Sequence, residues 1–378
     1  MFIFMLLLFV LASSYIFIGG WRVLPPMLSI RIIYTTLFVF LTFGYLLAFM
    51  FRGSLPLWFT NFVGVVGPTW MIAILYLFMA VVLIDLLRLA NHWWRFFPSW
   101  VTANYAKTKL ITFFSVIGLI SLIFSWGYYK FTHPTINRIE VRVDKPAMGD
   151  KKELRIVLAS DFHLGNVIGK RRLAKFVELI NAQNPDIILI SGDIVDGDIR
   201  PVIAKNMDEE LRKLEAPLGI YAVLGNHEYI GEYARGKIDA TIDYIQKSGI
   251  QVLKDETLDV GDNLTIVGRD DRTNRNRKEL HELTDSLNKQ RTIILLDHQP
   301  YHLEEAEECE VDFMFAGHTH KGQIWPISCF VTRMYEVAQG YKQKGNTHIY
   351  VSAGLGLWGP PFRIGTESEL LVATVIFN

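Results

Sequence analysis

A chain of 378 residues has room for two or three domains, and its 38 basic and 38 acidic residues cancel. No basic block suited to nucleic acid stands out, so no nucleic-acid partner is expected. Its 51% hydrophobic residues are a high share for a soluble enzyme, and two cysteines, Cys309 and Cys329, permit at most one disulfide.

The hydrophobic excess sits in the first third. Between Met1 and Arg138 the only acidic residue is Asp85, whereas charges of both signs are common from Lys151 onward. Four apolar stretches, about 2–20, 32–51, 71–87 and 110–129, approach the roughly 20 residues that span a bilayer. Trp21, Trp58, Trp93, Trp94 and Trp126 lie near their ends, where interfacial indoles are favoured. We therefore expect four transmembrane helices over 1–130, in a plasma membrane or a bacterial inner membrane. No basic segment precedes the first stretch, which argues against a cleaved signal peptide. The first loop carries Arg22 and Arg31, the third Arg88, Arg95, Lys107 and Lys109, and the second only Arg52. The positive-inside rule puts loops one and three in the cytoplasm and the C-terminal part outside it, while Lys130, Arg138 and Arg142 after the fourth stretch pull the other way. Asp85 is expected to pair with Arg88, one turn on, rather than to mark an ion path. Residues 131–150, with Pro134, Pro146 and Gly149, are expected to be a connector.

Residues 151–378 alternate between apolar β-branched runs and helical periodicity. Runs at 156–158, 187–190, 220–224, 293–296 and 313–315 are expected to be buried strands. Leu173, Phe176, Val177 and Ile180 recur at helical spacing, and Asn184-Pro185 ends that helix. Further helices are expected over 207–214 and 238–247, and strands over 264–267, 349–352 and 370–376. This is an α/β chain with a mixed-sheet core.

A polar motif follows each of the five runs: Asp161-Phe162-His163, Gly192-Asp193, Gly225-Asn226-His227-Glu228, Asp297-His298 and Gly317-His318-Thr319-His320. Sites in open α/β sheets gather past the carboxyl ends of strands. One edge thus receives Asp161, His163, Asp193, Asn226, His298, His318 and His320. Carboxylate, amide and imidazole donors suit Mn, Fe or Zn better than Ca, and the lack of cysteine argues against a structural zinc site. Seven ligands are too many for one ion; they fit two divalent ions sharing a carboxylate, roughly 3.5–4 Å apart.

In their order and wording these motifs resemble the calcineurin-like metallophosphoesterase superfamily over about residues 153–378. The words Leu296-Asp297-His298-Gln299-Pro300, Gly322-Gln323, Gly354-Leu355-Gly356 and Pro361-Phe362-Arg363 resemble its membrane-associated branch, related to the UDP-2,3-diacylglucosamine pyrophosphohydrolases of lipid A synthesis. Lys321 stands where that pattern has glycine. The resemblance implies a two-sheet sandwich flanked by helices and a metal-dependent phosphoric ester hydrolase whose nucleophile is a metal-bridging hydroxide. It implies one metal on Asp161, His163, Asp193 and His320, and a second on Asp193, Asn226, His298 and His318, with Asp193 bridging. His227 would contact a phosphoryl oxygen or protonate the leaving group. Arg363 would bind a substrate phosphate or pair with a neighbouring carboxylate.

Other residues leave two readings open. Glu228 either orients a ligand or is an ordinary surface glutamate, and Asp270 and Asp271 resemble a family loop near the site. His281, His302 and His348 are expected to be ordinary histidines. Trp325, Ile327, Trp358 and Phe362 form either an apolar rim for acyl chains or core. A short tether to the spans favours substrates in the same membrane, so a lipid-linked phosphoester or pyrophosphate is expected. A UDP-2,3-diacylglucosamine pyrophosphatase-type enzyme in the cytoplasm is the alternative. A scaffold that has lost catalysis would lack ligands, and none is missing. A sensor or transporter with an appended phosphoesterase fold would rest on Asp85 alone.

Overall fold

The computed structural model describes residues 2–50, 57–149, 151–230 and 238–377. The chain divides into two compact units, Met1–Trp126 with Gly359–Pro361, and Gly127–Trp358 with Phe362–Asn378. Helices α1 (Phe2–Val23), α2 (Leu28–Met50), α3 (Leu57–Trp94), α4 (Ser99–Ala103) and α5 (Tyr105–Thr132) account for the N-terminal third. Three stretches, Leu6–Val23, Phe62–Trp94 and Tyr105–Thr132, are long and apolar enough to cross a membrane, and Leu28–Gly44 is a shorter apolar helix. The end of the expected second stretch, at residue 51, and Arg52 lie outside the described residues. Leu11, Leu37, Leu83 and Leu122 are exposed, as on helices that are apolar on every side. The Asp85 carboxylate accepts from Arg88 Nη1 at 2.9 Å and from the Tyr15 hydroxyl, which agrees with the expected ion pair.

The second unit begins with β1 (Thr135–Val143), β2 (Glu153–Ala159), α6 (Lys170–Asn181), β3 (Ile187–Ser191), α7 (Arg200–Ala204), α8 (Asp208–Leu211) and β4 (Ile220–Val223). Then come α9 (Asn226–Tyr229), α10 (Ile238–Lys247), β5 (Gln251–Val252), β6 (Glu256–Val260), β7 (Leu264–Gly268), α11 (Leu280–Thr284) and β8 (Thr292–Leu296). The chain ends with α12 (Leu303–Glu308), β9 (Phe313–Ala316), α13 (Ile327–Met334), β10 (Gly340–Lys344), β11 (Thr347–Val351) and β12 (Glu369–Phe377). The helix expected over 207–214 is only the single turn α8.

The stretch expected to be a connector instead holds β1, which pairs in parallel with β12 from Thr135 opposite Glu369 to Val143 opposite Phe377. Its proline and glycine signals lie at the margins. Between them Val141 and Val143 alternate with charged residues and are buried, the period of a half-covered strand.

Two six-stranded sheets result, ordered β1-β12-β2-β3-β4-β5 and β10-β11-β9-β8-β7-β6. Strands β2 to β5 run parallel, as do β7, β8, β9 and β11. Successive residues feed different cores. Ile156, Leu158, Ile187, Leu189, Ile294, Leu296, Phe313 and Phe315 fill the space between the sheets. Val157, Ile188 and Ile190 face Leu173, Phe176 and Ile180 of α6, while Ile293, Leu295 and Met314 face Leu303 of α12. Strands covered on both sides need no polar positions, so they appear in the sequence as unbroken apolar runs. Five of these parallel strands, β2, β3, β4, β8 and β9, lead into the five motifs at their carboxyl ends.

Candidate metal centre

The motif turns are tied to one another before any side chain is considered. Asp161 N donates to Gly192 O at 3.0 Å, His163 N to Asp193 O at 2.9 Å, and Gly317 N to His298 O at 2.9 Å. Asp161, His163, Asp193, His318 and His320 all have left-handed backbone, with φ of 56°, 48°, 51°, 71° and 47°. Each such non-glycine residue costs roughly 1–3 kcal/mol, and clusters of them mark functional sites. Two glycines let the turns close. A Cβ on Gly225 would collide with the Asp193 carboxylate, and one on Gly317 would lie 2.5 Å from Asp161 Oδ2.

Two groups of ligand atoms come together, one from Asp161, His163 and His320, the other from Asp193, His298 and His318. In the first, His163 Nε2 lies 3.1 Å from His320 Nε2, and His320 Nε2 lies 3.3 Å from Asp161 Oδ1. In the second, His298 Nε2 lies 3.2 Å from Asp193 Oδ2. His318 Nδ1 lies 2.8 Å from Asn226 Oδ1, and His163 Nε2 is 3.6 Å from Asp193 Oδ2, so Asp193 stands between the groups. Ligand atoms of His163, Asp193 and His227 also lie within 4.8 Å of one another. There, however, His227 Nδ1 is already engaged by Asp196 Oδ1 at 2.9 Å.

The donor set fits cations. His298 Nδ1 is 2.7 Å from the Ser191 carbonyl, which can only accept, so Nδ1 carries the proton. The other nitrogen, Nε2, is buried without a hydrogen-bond partner, as is His163 Nδ1. In the neutral ring the Nε2 lone pair would face the Asp193 carboxylate, an arrangement that either a proton or a metal ion would relieve.

Electrostatics point the same way. Burial alone would raise Asp161, but His320, His163 and His298 hold its carboxyl below the usual range; Asp193 is likewise held low by His298 and His163 against its burial. Burial opposes charge on His163, yet Asp161, Asp196 and Asp193 push it up to about 10. Against the same burial, Asp193 raises His298. Burial and the neighbouring His298 push His318 down to about 4, and burial lowers His320. The pocket therefore attracts positive charge, and two of its imidazoles are already neutral, the form that ligates metal.

The supporting residues were only partly foreseen. Glu228 is buried, not a surface glutamate: its carboxylate accepts from the backbone of Asp193, Val195 and Gly225 at 3.1, 2.8 and 2.7 Å. Asp270 and Asp271 are buried beside the site, held by Tyr229 at 2.7 Å and by Gln299 at 2.9–3.0 Å. Asp196 was not singled out from sequence, because a lone aspartate in a polar turn carries no signal until its partners are known. It engages His227 and lies 3.4 Å from His163 Nδ1.

Arg363 departs from expectation. It is fully buried, and its Nη2 donates to the carbonyls of Ala353, Gly354 and Gly356 at 2.7, 3.1 and 2.5 Å and lies 3.2 Å from His320 Nδ1. Through Nη2 it braces the turn behind His320, while its Nε and Nη1 are buried without a hydrogen-bond partner. Phe362 is buried as well, whereas Trp325, Ile327 and Trp358 are exposed. Cys309 and Cys329 are both free.

The family description "Calcineurin-like phosphoesterase" matches residues 154–322. A Caenorhabditis elegans protein named as a metallophosphoesterase, F40B5.2, is 32% identical over 69% of this chain and 56% of its own length. An uncharacterized metallophosphoesterase of Aquifex aeolicus is 32% identical over 62% of this chain and 92% of its own. A Danio rerio transmembrane protein with metallophosphoesterase domain is 29% identical over 63% and 56%. The chain thus spans little more than half the length of the two animal relatives. It belongs to the calcineurin-like phosphoesterase family, a family of dimetal phosphoester hydrolases.

Proposed function

We propose that this protein is a membrane-anchored phosphoesterase that cleaves a lipid-linked phosphoester or pyrophosphate bond outside the cytoplasm. The observation that carries the hydrolase reading is the convergence of Asp161, His163, Asp193, Asn226, His298, His318 and His320 from five strand ends. We assign one divalent ion to Asp161, His163, Asp193 and His320, and another to Asp193, Asn226, His298 and His318, with Mn, Fe or Zn matching the donors. When bound, such a pair supplies Lewis acidity that lowers the pKa of water and offsets phosphoryl charge.

The protein's own groups do the rest. Asn226 offers a neutral oxygen, so it adds no charge that would repel phosphate. The Asp196 carboxylate holds Nδ1 of His227 and leaves Nε2 as the nitrogen that can hand a proton to the departing oxygen. His227 N donates to Asp193 Oδ1 at 2.8 Å, which ties the acid to the proposed bridging carboxylate. Glu228 fixes the turns that carry both.

The membrane part of the reading is supported by the three membrane-length helices and the zebrafish relative's name, and the orientation by the loop charges. The test is hydrolysis of bis(p-nitrophenyl) phosphate by the full chain in nanodiscs. Activity should vanish with chelator and return with Mn. Unchanged activity after complete metal removal would overturn the reading.

A further inference from the structure

The surface around α13 differs from the rest of the second unit. Trp325 is 45% exposed, Ile327 41%, Phe330 65% and Met334 71%, whereas most apolar side chains of this unit are buried. Ile327, Phe330 and Met334 are spaced i, i+3 and i+7, so they form one outward stripe. The other side of the helix packs on the turn that carries His320. A Cβ on Gly322 would meet Ser328 at 2.8 Å and Val331 at 3.0 Å. No acidic residue occurs between Asp312 and Glu336, while Lys321 and Arg333 do. Trp358, 53% exposed, accepts through its carbonyl from Gln323 Nε2 at 3.0 Å, and its ring centroid is 6.5 Å from that of His227.

We infer that α13, with Trp325, docks this unit on a lipid bilayer, its apolar stripe at the headgroup–acyl boundary and Arg333 among the headgroups. A short helix with an apolar face and only basic charge on it matches an interfacial segment, and tryptophan favours the same depth. Among the described residues three helices are long and apolar enough to cross a membrane, and such an anchor keeps a bilayer at high effective concentration. A second copy is a poorer occupant. A helix of eight residues is about 12 Å long and cannot by itself supply the roughly 800 Å² per partner of a stable dimer. Docking would set the metal centre at the height of lipid headgroups. That consequence for rate rests on the phosphoesterase reading; the docking itself does not.

The test uses the full chain in nanodiscs of phosphatidylcholine and phosphatidylglycerol. With Cys309 and Cys329 changed to Ser, Phe330→Cys carries a fluorophore, and Ile203→Cys, at an exposed position elsewhere, serves as control. Lipid-borne nitroxide should quench the label at 330 and not that at 203, while iodide should do the reverse. Equal iodide quenching at both positions would overturn the inference. A label at 330 shielded from both quenchers would mean that protein covers the stripe, and would overturn it equally. In a second arm, F330S/M334S should lower hydrolysis of a nanodisc-embedded fluorescent phosphodiester lipid on the order of tenfold. Hydrolysis of bis(p-nitrophenyl) phosphate should not change. Equal loss on both substrates would remove the functional consequence. If the wild type hydrolysed neither substrate, the phosphoesterase reading would fall and the quenching result would stand alone.

Discussion

Asp196 Oδ1 lies 2.9 Å from His227 Nδ1, so a half-buried carboxylate decides which nitrogen of that imidazole faces the open side of the site. The same oxygen is 3.4 Å from His163 Nδ1, which links the proposed acid to a proposed ligand. Carboxylates that hold the far nitrogen of a functional histidine typically contribute 10–100-fold. Asp196→Asn should therefore lower turnover on a soluble diester about 10–100-fold while the fold is kept. An unchanged kcat would remove Asp196 from the machinery.

His227 itself separates two roles. As a proton donor, His227→Gln should keep bound metal and lose on the order of 10²–10⁴ in turnover. Metal analysis decides the matter: loss of an ion would make His227 a ligand, as the third grouping of donors would allow.

Metal binding should tighten as pH rises. His163 is held protonated up to about 10, because the carboxylates of Asp161, Asp196 and Asp193 outweigh its burial. A metal ion must displace that proton, so below this range apparent affinity should rise by up to about tenfold per pH unit for each proton released. Titration of the metal-free chain with Mn between pH 6 and about 8 reads this directly. Affinity that fell with rising pH would contradict the ligand set.

Arg363 should behave as a brace. Arg363→Met leaves the carbonyls of Ala353, Gly354 and Gly356 without their donor. It should cost roughly 1.5–3 kcal/mol of stability, seen as a lower Tm. An unchanged Tm with a raised KM would return Arg363 to substrate binding.

We propose from the loop charges that residues 151–378 face away from the cytoplasm. A reporter fused after Asn378 that is active only in the cytoplasm should stay silent. A bright signal would reverse the orientation and favour a substrate made in the cytoplasm.

Legibility followed the range of the interactions. The strands under the motifs could be seen because burial on both faces leaves uninterrupted apolar runs such as Ile187 to Ile190. The candidate ligands could be seen because each motif follows such a run. Strand β1 was hidden because its partner, β12, lies more than 230 residues away, as Thr135 opposite Glu369 shows. Asp196 engages His227, 31 residues on, and Glu228, besides its local bond to Gly225, holds Asp193 and Val195, 33 to 35 residues back, which no local pattern encodes. Trp325 and Phe362 looked equivalent in sequence, yet one is exposed and the other buried. Apolar character alone does not say which side of a surface a residue occupies.

Asp193 is proposed to serve two ions at once. The most direct measurement is metal content per chain, by inductively coupled plasma mass spectrometry, for the Mn-loaded wild type and for Asp193→Asn after identical removal of free metal. About two ions per wild-type chain are expected, and loss of both in the variant, since one carboxylate serves both sites. A single ion in the wild type, or a variant that keeps both, would contradict the sharing of Asp193.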